Sequence, residues 1–235
     1  ITLTFNDESL VQRDNPLSVD VRDFQLFMKK LRKRFGSGIR FYHCGEYGDK
    51  SNRPHYHACL FNFDFPDKRL WKITNGQRLY VSEMLEELWP YGFSTIGEVT
   101  FESAAYVARY IMKKINGQMQ EEHYTHIDDE TGEVIKINPE YTTMSRRPGI
   151  GKNWYEKFKD DVYPHDYVVV NGVKCRPPRY YDGMLKTERP YEFDEVKELR
   201  EVTAKKFVDN NQPDRLYIRE RVQLAKLKQL PRSVD

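Results

Sequence analysis

The chain of 235 residues is long enough for one sizeable domain, or for one domain carrying an appendage. Apolar residues make up 39% and charged residues 31%, while 16 Tyr and 13 Phe lift the aromatic share to 14%; a ring-rich core under a heavily solvated surface is expected, and a disordered chain is excluded. Net charge is only +2, from 38 basic and 36 acidic residues, so any footprint for a polyanion has to be local.

Residues 1–5 read as the start of a strand, with Leu3 and Phe5 alternating against Thr2 and Thr4. The segment 20–35 predicts a helix, because Phe24, Phe27, Met28, Leu31 and Phe35 recur at helical spacing and Gly36 supplies a stop. Its far end carries Lys29, Lys30, Arg32, Lys33 and Arg34, which read either as a solvated face or as phosphate contacts. Two apolar runs, 39–44 and 55–63, are joined by a turn containing Gly and Asn and predict a β-hairpin. A short helix is expected over 81–89, a strand over 93–101 and a helix over 102–115. The stretch 121–133 holds six acids and no Lys or Arg, and reads as an exposed insertion. Asn171-Gly172 inside 168–174 is a two-residue hairpin signal, and two charged helical stretches follow at 194–208 and 214–230. This order predicts an α+β fold with a central, mainly antiparallel sheet flanked by helices, forming a domain over 1–176, with a charged, mainly helical C-terminal extension over 177–235.

The three cysteines, Cys44, Cys59 and Cys175, are odd in number and form no CxxC, which fits a reducing compartment. With no run of 18 apolar residues and no signal-peptide pattern, a soluble intracellular protein without a membrane is expected. Because the chain opens at Ile1 inside an apparent strand, it reads as a trimmed or incompletely ordered product.

Chemistry concentrates in two places. On a strand, His55 and His57 share a face with their backbones about 7 Å apart, and Glu46 at the end of the paired strand can reach that face. Two imidazoles and a carboxylate suit a cation that keeps open positions for water or phosphate oxygens, although HxH alone fits a pair of buried, hydrogen-bonded histidines equally well. On the helix near 102–115, Tyr106 and Tyr110 stack one turn apart, with Arg109 and Lys113 three residues beyond each, where a cation favours phenolate. Taken alone, that segment reads as an amphipathic helix on a core. Cys44 and Cys59 share faces with Glu46 and His57, which leaves a zinc site conceivable. A hard phosphate substrate favours Mg²⁺ or Mn²⁺, and the cysteines read as small packed hydrophobes. Gly149-Ile150-Gly151-Lys152 lacks the earlier glycine and the Ser or Thr of a phosphate loop, and reads as a turn into a helix. Arg146, Arg147 and Lys152 can still hold backbone phosphates there.

Gly45-Glu46-Tyr47-Gly48 followed by Arg53-Pro54-His55-Tyr56-His57 resembles the metal motif of the HUH replication-initiator endonucleases. Thr2-Leu3-Thr4-Phe5 resembles their first-strand motif, and residues 106–114 (YVARYIMKK) resemble the two-tyrosine helix of the group that includes phage initiators. Within that family the gokushovirus branch of the microviruses is most similar, and Ser145-Arg146-Arg147-Pro148-Gly149-Ile150-Gly151 is similar to it as well. The resemblance spans roughly residues 1–160. It departs at Tyr56, where an aliphatic residue is usual and the ring still supplies apolar bulk. It implies a divalent cation, Mg²⁺ or Mn²⁺, on Glu46, His55 and His57, with Tyr106 and Tyr110 as nucleophiles and Arg109 and Lys113 beside them. The implied activity is nicking and joining of single-stranded DNA through a 5′-phosphotyrosine to start and end rolling-circle replication, with Arg32, Lys33, Arg34, Arg146 and Arg147 on phosphates. The implied partners are origin DNA and the host helicase or polymerase, in the cytoplasm of a bacterial host. A non-catalytic single-strand binder would use a similar sheet with aromatic stacking, but would need neither the triad nor the paired tyrosines. A relaxase or transposase on the same scaffold stays open.

Overall fold

The computed structural model describes residues 1–48, 51–74, 76–109, 114–127 and 131–229. Two compact units divide the chain after Arg146. In chain order the first contains β1 (Thr2–Thr4), α1 (Asp7–Val11), α2 (Val21–Phe35), β2 (Arg40–Tyr47), β3 (Pro54–Phe61), β4 (Arg69–Thr74) and β5 (Gln77–Val81). After these come α3 (Glu83–Leu88), β6 (Ser94–Thr95), α4 (Phe101–Arg109), α5 (Gln120–His123), β7 (Thr125–Ile127), β8 (Val134–Lys136) and β9 (Tyr141–Met144). Five strands form one antiparallel sheet in the order β6-β1-β3-β2-β9, so the expected α+β class with a central antiparallel sheet is what the chain adopts.

Strand parity gives this sheet two different faces. Leu3, Tyr56 and Ala58 point to one side and meet Phe24, Phe27, Met28 and Leu31 of α2 in the main core, together with Leu85, Leu88 and Trp89. Asp20 caps α2 by accepting the Arg22 N–H at 2.8 Å. The Tyr56 hydroxyl donates to Asp23 at 2.6 Å and accepts the Asp20 N–H at 3.0 Å, so it fastens the first turn of α2 to the sheet centre. Tyr56 therefore supplies apolar bulk and a polar anchor. Burying each large α2 side chain contributes about 1.5–3 kcal/mol relative to leaving it in water. The opposite face carries Tyr42, Cys44, Cys59 and Phe61, packed under Ala104, Tyr106 and Val107 of α4.

One expected strand is shortened, and one hairpin is unexpected. The strand over 93–101 shrinks to β6, because the Ser103 hydroxyl accepts the Thr100 N–H at 2.8 Å and the Thr100 hydroxyl accepts the Ser103 N–H at 3.2 Å, a reciprocal cap that starts α4 at Phe101. That helix is described to Arg109, and residues 110–113 lie outside the described residues. Residues 69–81 form a hairpin that the sequence reading did not single out, and it joins the β6 side of the sheet through paired 2.8 Å bonds between Tyr80 and Ile96.

The second unit begins at Arg147. It contains α6 (Lys152–Val162), the hairpin β10 (Val168–Val170) and β11 (Val173–Cys175), then α7 (Arg179–Glu188), α8 (Pro190–Lys205) and α9 (Pro213–Gln229). Asn171 and Gly172 both take positive φ in the hairpin turn, as that dipeptide predicts. Tyr155, Val162 and Tyr163 share a core with Tyr181, Leu185 and Val196, and Arg200 grips Asp166 and Asp182 at 2.6–2.9 Å. Within this unit α6 buries its apolar face against α7 and α8.

Candidate metal centre

β2 and β3 pair in the register that the alternation demands, with Glu46 opposite His55 and Cys44 opposite His57. That register sets the three polar side chains on the α4 face. Glu46 Oε1 lies 2.7 Å from His55 Nε2 and 3.0 Å from His57 Nε2, and one ligand atom from each residue falls within 4.8 Å of the others. Glu46 and His57 are buried, and His55 is half-buried. Burial opposes ionisation of Glu46, but the hydrogen bonds and charges of His55 and His57 prevail and hold its carboxyl at about 2. Burial lowers the His57 pKa, and its bond to Glu46 opposes this only in part, so the imidazole is neutral at neutral pH and ready to be a ligand.

The outer nitrogens are held as well. His57 Nδ1 sits 3.0 Å from Thr2 Oγ1 on β1, and His55 Nδ1 sits 3.0 Å from the Arg53 carbonyl. Such partners fix ring orientation and tautomer and turn both Nε2 atoms toward Glu46, in a group that could hold a metal ion. Arg53 in turn donates to the Phe5 carbonyl at 2.7 Å and pairs with Asp7, which ties the start of β3 to the end of β1. Gly45 permits a close approach, since a Cβ there would meet Cε1 of Tyr141 at 2.7 Å. Both cysteines pack against Val107, and no cysteine joins the Glu-His-His group among the described residues.

α4 sets Tyr106 beside this group. Its ring lies 6.0 Å from the His57 ring, edge to face, and the Arg109 guanidinium carbon is 5.9 Å from the Tyr106 ring centre. A cavity of about 430 Å³ opens here, bounded by Thr2, His57, Tyr106, Thr100 and Ser103 and by the Gln77–Leu79 stretch of β5. Tyr110 and Lys113 lie outside the described residues.

A family model of replication-associated proteins of the ORF2 type matches residues 1–115, the segment that builds this site. The replication-associated protein VP4 of Bdellovibrio phage phiMH2K is 34% identical over 224 residues, covering 88% of this chain and 66% of that protein. ORF2 of Spiroplasma virus 4, also called a replication-associated protein, is 33% identical over 218 residues, covering 88% of this chain and 64% of that protein. The chain belongs to this phage replication-associated family. A further relative, replication-associated protein ORF4 of Chlamydia phage 1, is 27% identical over 203 residues, covering 79% and 45%. The chain thus spans about two thirds of the length of the first two relatives and less than half of the third. No solved structure matches it.

In this family member the basic residues named from sequence fall in different places. Arg32 donates to the Ile39 carbonyl at 2.7 and 3.1 Å, and Arg34 pairs with Glu87. Both sit on α2, which packs on the sheet face opposite the triad, and Lys33 beside them is exposed. Arg146 and Arg147 are exposed at the end of the first unit and the start of the second. Thr2 and Arg53 stand in the motifs quoted from sequence, yet nothing in their local pattern signals that they hold the two imidazoles. Thr2, Glu46 and His57 sit on β1, β2 and β3, and only the pairing of those strands brings them together. Among the described residues no helix is long and apolar enough to cross a membrane.

Proposed function

We propose that this chain nicks and rejoins single-stranded DNA to start and terminate rolling-circle replication of a phage genome in the cytoplasm of its bacterial host. The observation that carries this reading is the convergence of Glu46, His55 and His57 beside Tyr106 on one sheet face, at the edge of a cavity. The donor set fits a divalent cation, because two imidazoles with held outer nitrogens and a carboxylate match a hard or borderline metal such as Mg²⁺ or Mn²⁺. When bound there, such an ion supplies Lewis-acid polarisation of a phosphoryl oxygen.

The chain's own residues supply the rest. Thr2 and the Arg53 carbonyl hold the imidazoles, and burial keeps His57 from competing for a proton. The Tyr106 oxygen attacks the scissile phosphorus, the bond from phosphorus to the 3′ oxygen breaks, and that oxygen leaves as a 3′-OH after taking a proton. The 5′ phosphate stays on the tyrosine, and attack by a later 3′-OH reverses the step and closes a strand. Arg109 is placed to favour the Tyr106 phenolate. From the sequence motif, Tyr110 is assigned the role of second nucleophile and Lys113 that of its cation, so one centre can cut again while the first end is still attached. Origin DNA is the substrate, with host helicase or polymerase acting on the exposed 3′ end.

Incubating the protein with labelled origin strand and Mn²⁺, then running a denaturing gel, tests this directly. A slow-migrating covalent adduct that disappears with chelator is the expected result. Affinity for single strands that is untouched by chelator, with no cleavage of any origin strand, would leave a non-catalytic binder instead.

A further inference from the structure

Resting on the single-stranded DNA reading above, we propose that the β4–β5 hairpin is a second DNA-binding element, whose Trp71 forms a stacking platform for unpaired bases together with Phe93, the residue before β6. Trp71 and Phe93 are each about half exposed, at 46% and 49%, yet they touch each other edge to face at 5.1 Å. Scattered exposed apolar residues are ordinary on a protein surface, but here two large rings pair in water, and Leu70 and Ile73 of the same strand as Trp71 are exposed as well. The register of the hairpin shifts between Leu70 and Lys72, a bulge that re-aims the intervening Trp71 side chain.

Charge selects the occupant. Residues 69–81 contain Arg69, Lys72 and Arg78 and no acid; Arg69 pairs with Glu83 just beyond the hairpin at 2.8 Å, which leaves Lys72 and Arg78 as the cations for a phosphate. The Lys72 ammonium lies 4.4 Å from the Trp71 ring centre, so cation and ring share one spot, as a base with its phosphate requires. The core of a protein–protein interface is depleted in Lys, which makes a protein partner the poorer fit. Double-stranded DNA offers no free base face to stack, so an unpaired strand is the matching ligand.

The platform is also anchored in the right place. The paired Tyr80–Ile96 bonds join β5 to the chain just beyond β6, so the hairpin continues the sheet that carries the triad. Gln77, Arg78 and Leu79 of the same hairpin line the cavity that holds His57 and Tyr106. A strand stacked on Trp71 and Phe93 is thereby led along the hairpin toward the nucleophile.

Fluorescence anisotropy of the full chain in chelator, with a labelled oligo-dT and an abasic strand of equal length, separates stacking from phosphate contact and from cleavage. Wild type is expected to prefer the base-bearing strand. Trp71→Ala and Phe93→Ala should each weaken that strand about tenfold while leaving the abasic strand unchanged. Trp71→Phe, which keeps a ring, should retain most of the preference, and unchanged Mn²⁺ affinity of each variant reports an intact sheet. Wild-type ratios in both alanine variants would overturn the platform while leaving the nicking reading untouched. A wild type that binds neither strand would sink the parent reading and the platform together. Loss of an oligomer on sedimentation of Trp71→Ala, with DNA affinity kept, would reassign the patch to a protein interface.

Discussion

His43 makes the fold sensitive to acid in a way the structure allows to be sized. It sits on β2 but points to the α2 face, fully buried, its ring stacked on Phe24 at 3.6 Å and nearly parallel to it. Its Nδ1 meets Thr143 Oγ1 at 2.8 Å, and Nε2 has no hydrogen-bond partner among the described residues. Burial, helped by the charge of His57, pushes its pKa down from 6.5 to about 3. The unfolded chain therefore takes up a proton near pH 6.5 that the folded chain refuses until about pH 3, so stability falls as pH drops through that window. The slope approaches 1.36 kcal/mol per pH unit, which amounts to about 2 kcal/mol between pH 6.5 and 5. That is a sizeable share of the 5–15 kcal/mol typical of a domain. Urea unfolding of wild type and His43→Phe at pH 7.5, 6 and 5 isolates the effect, because groups common to both chains cancel in the difference. The gap should move in favour of His43→Phe by about 2 kcal/mol over the acid range. Parallel pH dependences of the two proteins would refute a neutral, buried His43.

Thr2→Val removes the oxygen that orients His57 and should lower Mn²⁺ affinity about 10- to 100-fold by calorimetry, with Thr2→Ser largely spared. Because burial lowers the His57 pKa, protons should compete for that ligand only below the free-imidazole value of about 6.5, which titrations at pH 7.5, 6.5 and 5.5 will locate. Gly45→Ala drives a methyl into the Tyr141 ring and should cost about 1–3 kcal/mol in denaturant unfolding; no loss would mean that the ring swings aside freely. Tyr106→Phe and Tyr110→Phe should each retain some nicking and the double variant none, with peptide mapping of the adduct finding DNA on both residues. Complete loss in one single variant and none in the other would reduce the scheme to a single nucleophile.

Alternation made β2 and β3 legible, and with them the shared face of Glu46, His55 and His57, because a strand's period of two leaves few ways to seat Tyr56 and Ala58 in the core. Tyr106 was legible through helical spacing and the order of motifs. The β4–β5 hairpin was missed although Asn75-Gly76 carries the two-residue turn signal; Lys72 and the bulge at Trp71 break the alternation that would have framed it. α7 was missed because its buried stripe is only Tyr181 and Leu185 amid charged residues and Gly183, and without α7 the partner of α6 was invisible. The holding of His57 by Thr2 links residues 55 apart in sequence, a contact that no local pattern encodes.

The parity of β3 also limits how this chain can change length. One residue inserted or deleted between Pro54 and Ala58 would turn Tyr56 toward the α4 face and a histidine toward Phe24 and Leu31. Folding and ligand placement would then fail in the same event, since the residues exchanged are a buried ring and an ionisable one. A product mispaired by one position has no core to persist on. A change of length carries no such cost where parity bears no burden, as beside the exposed Gly76 and Gly132.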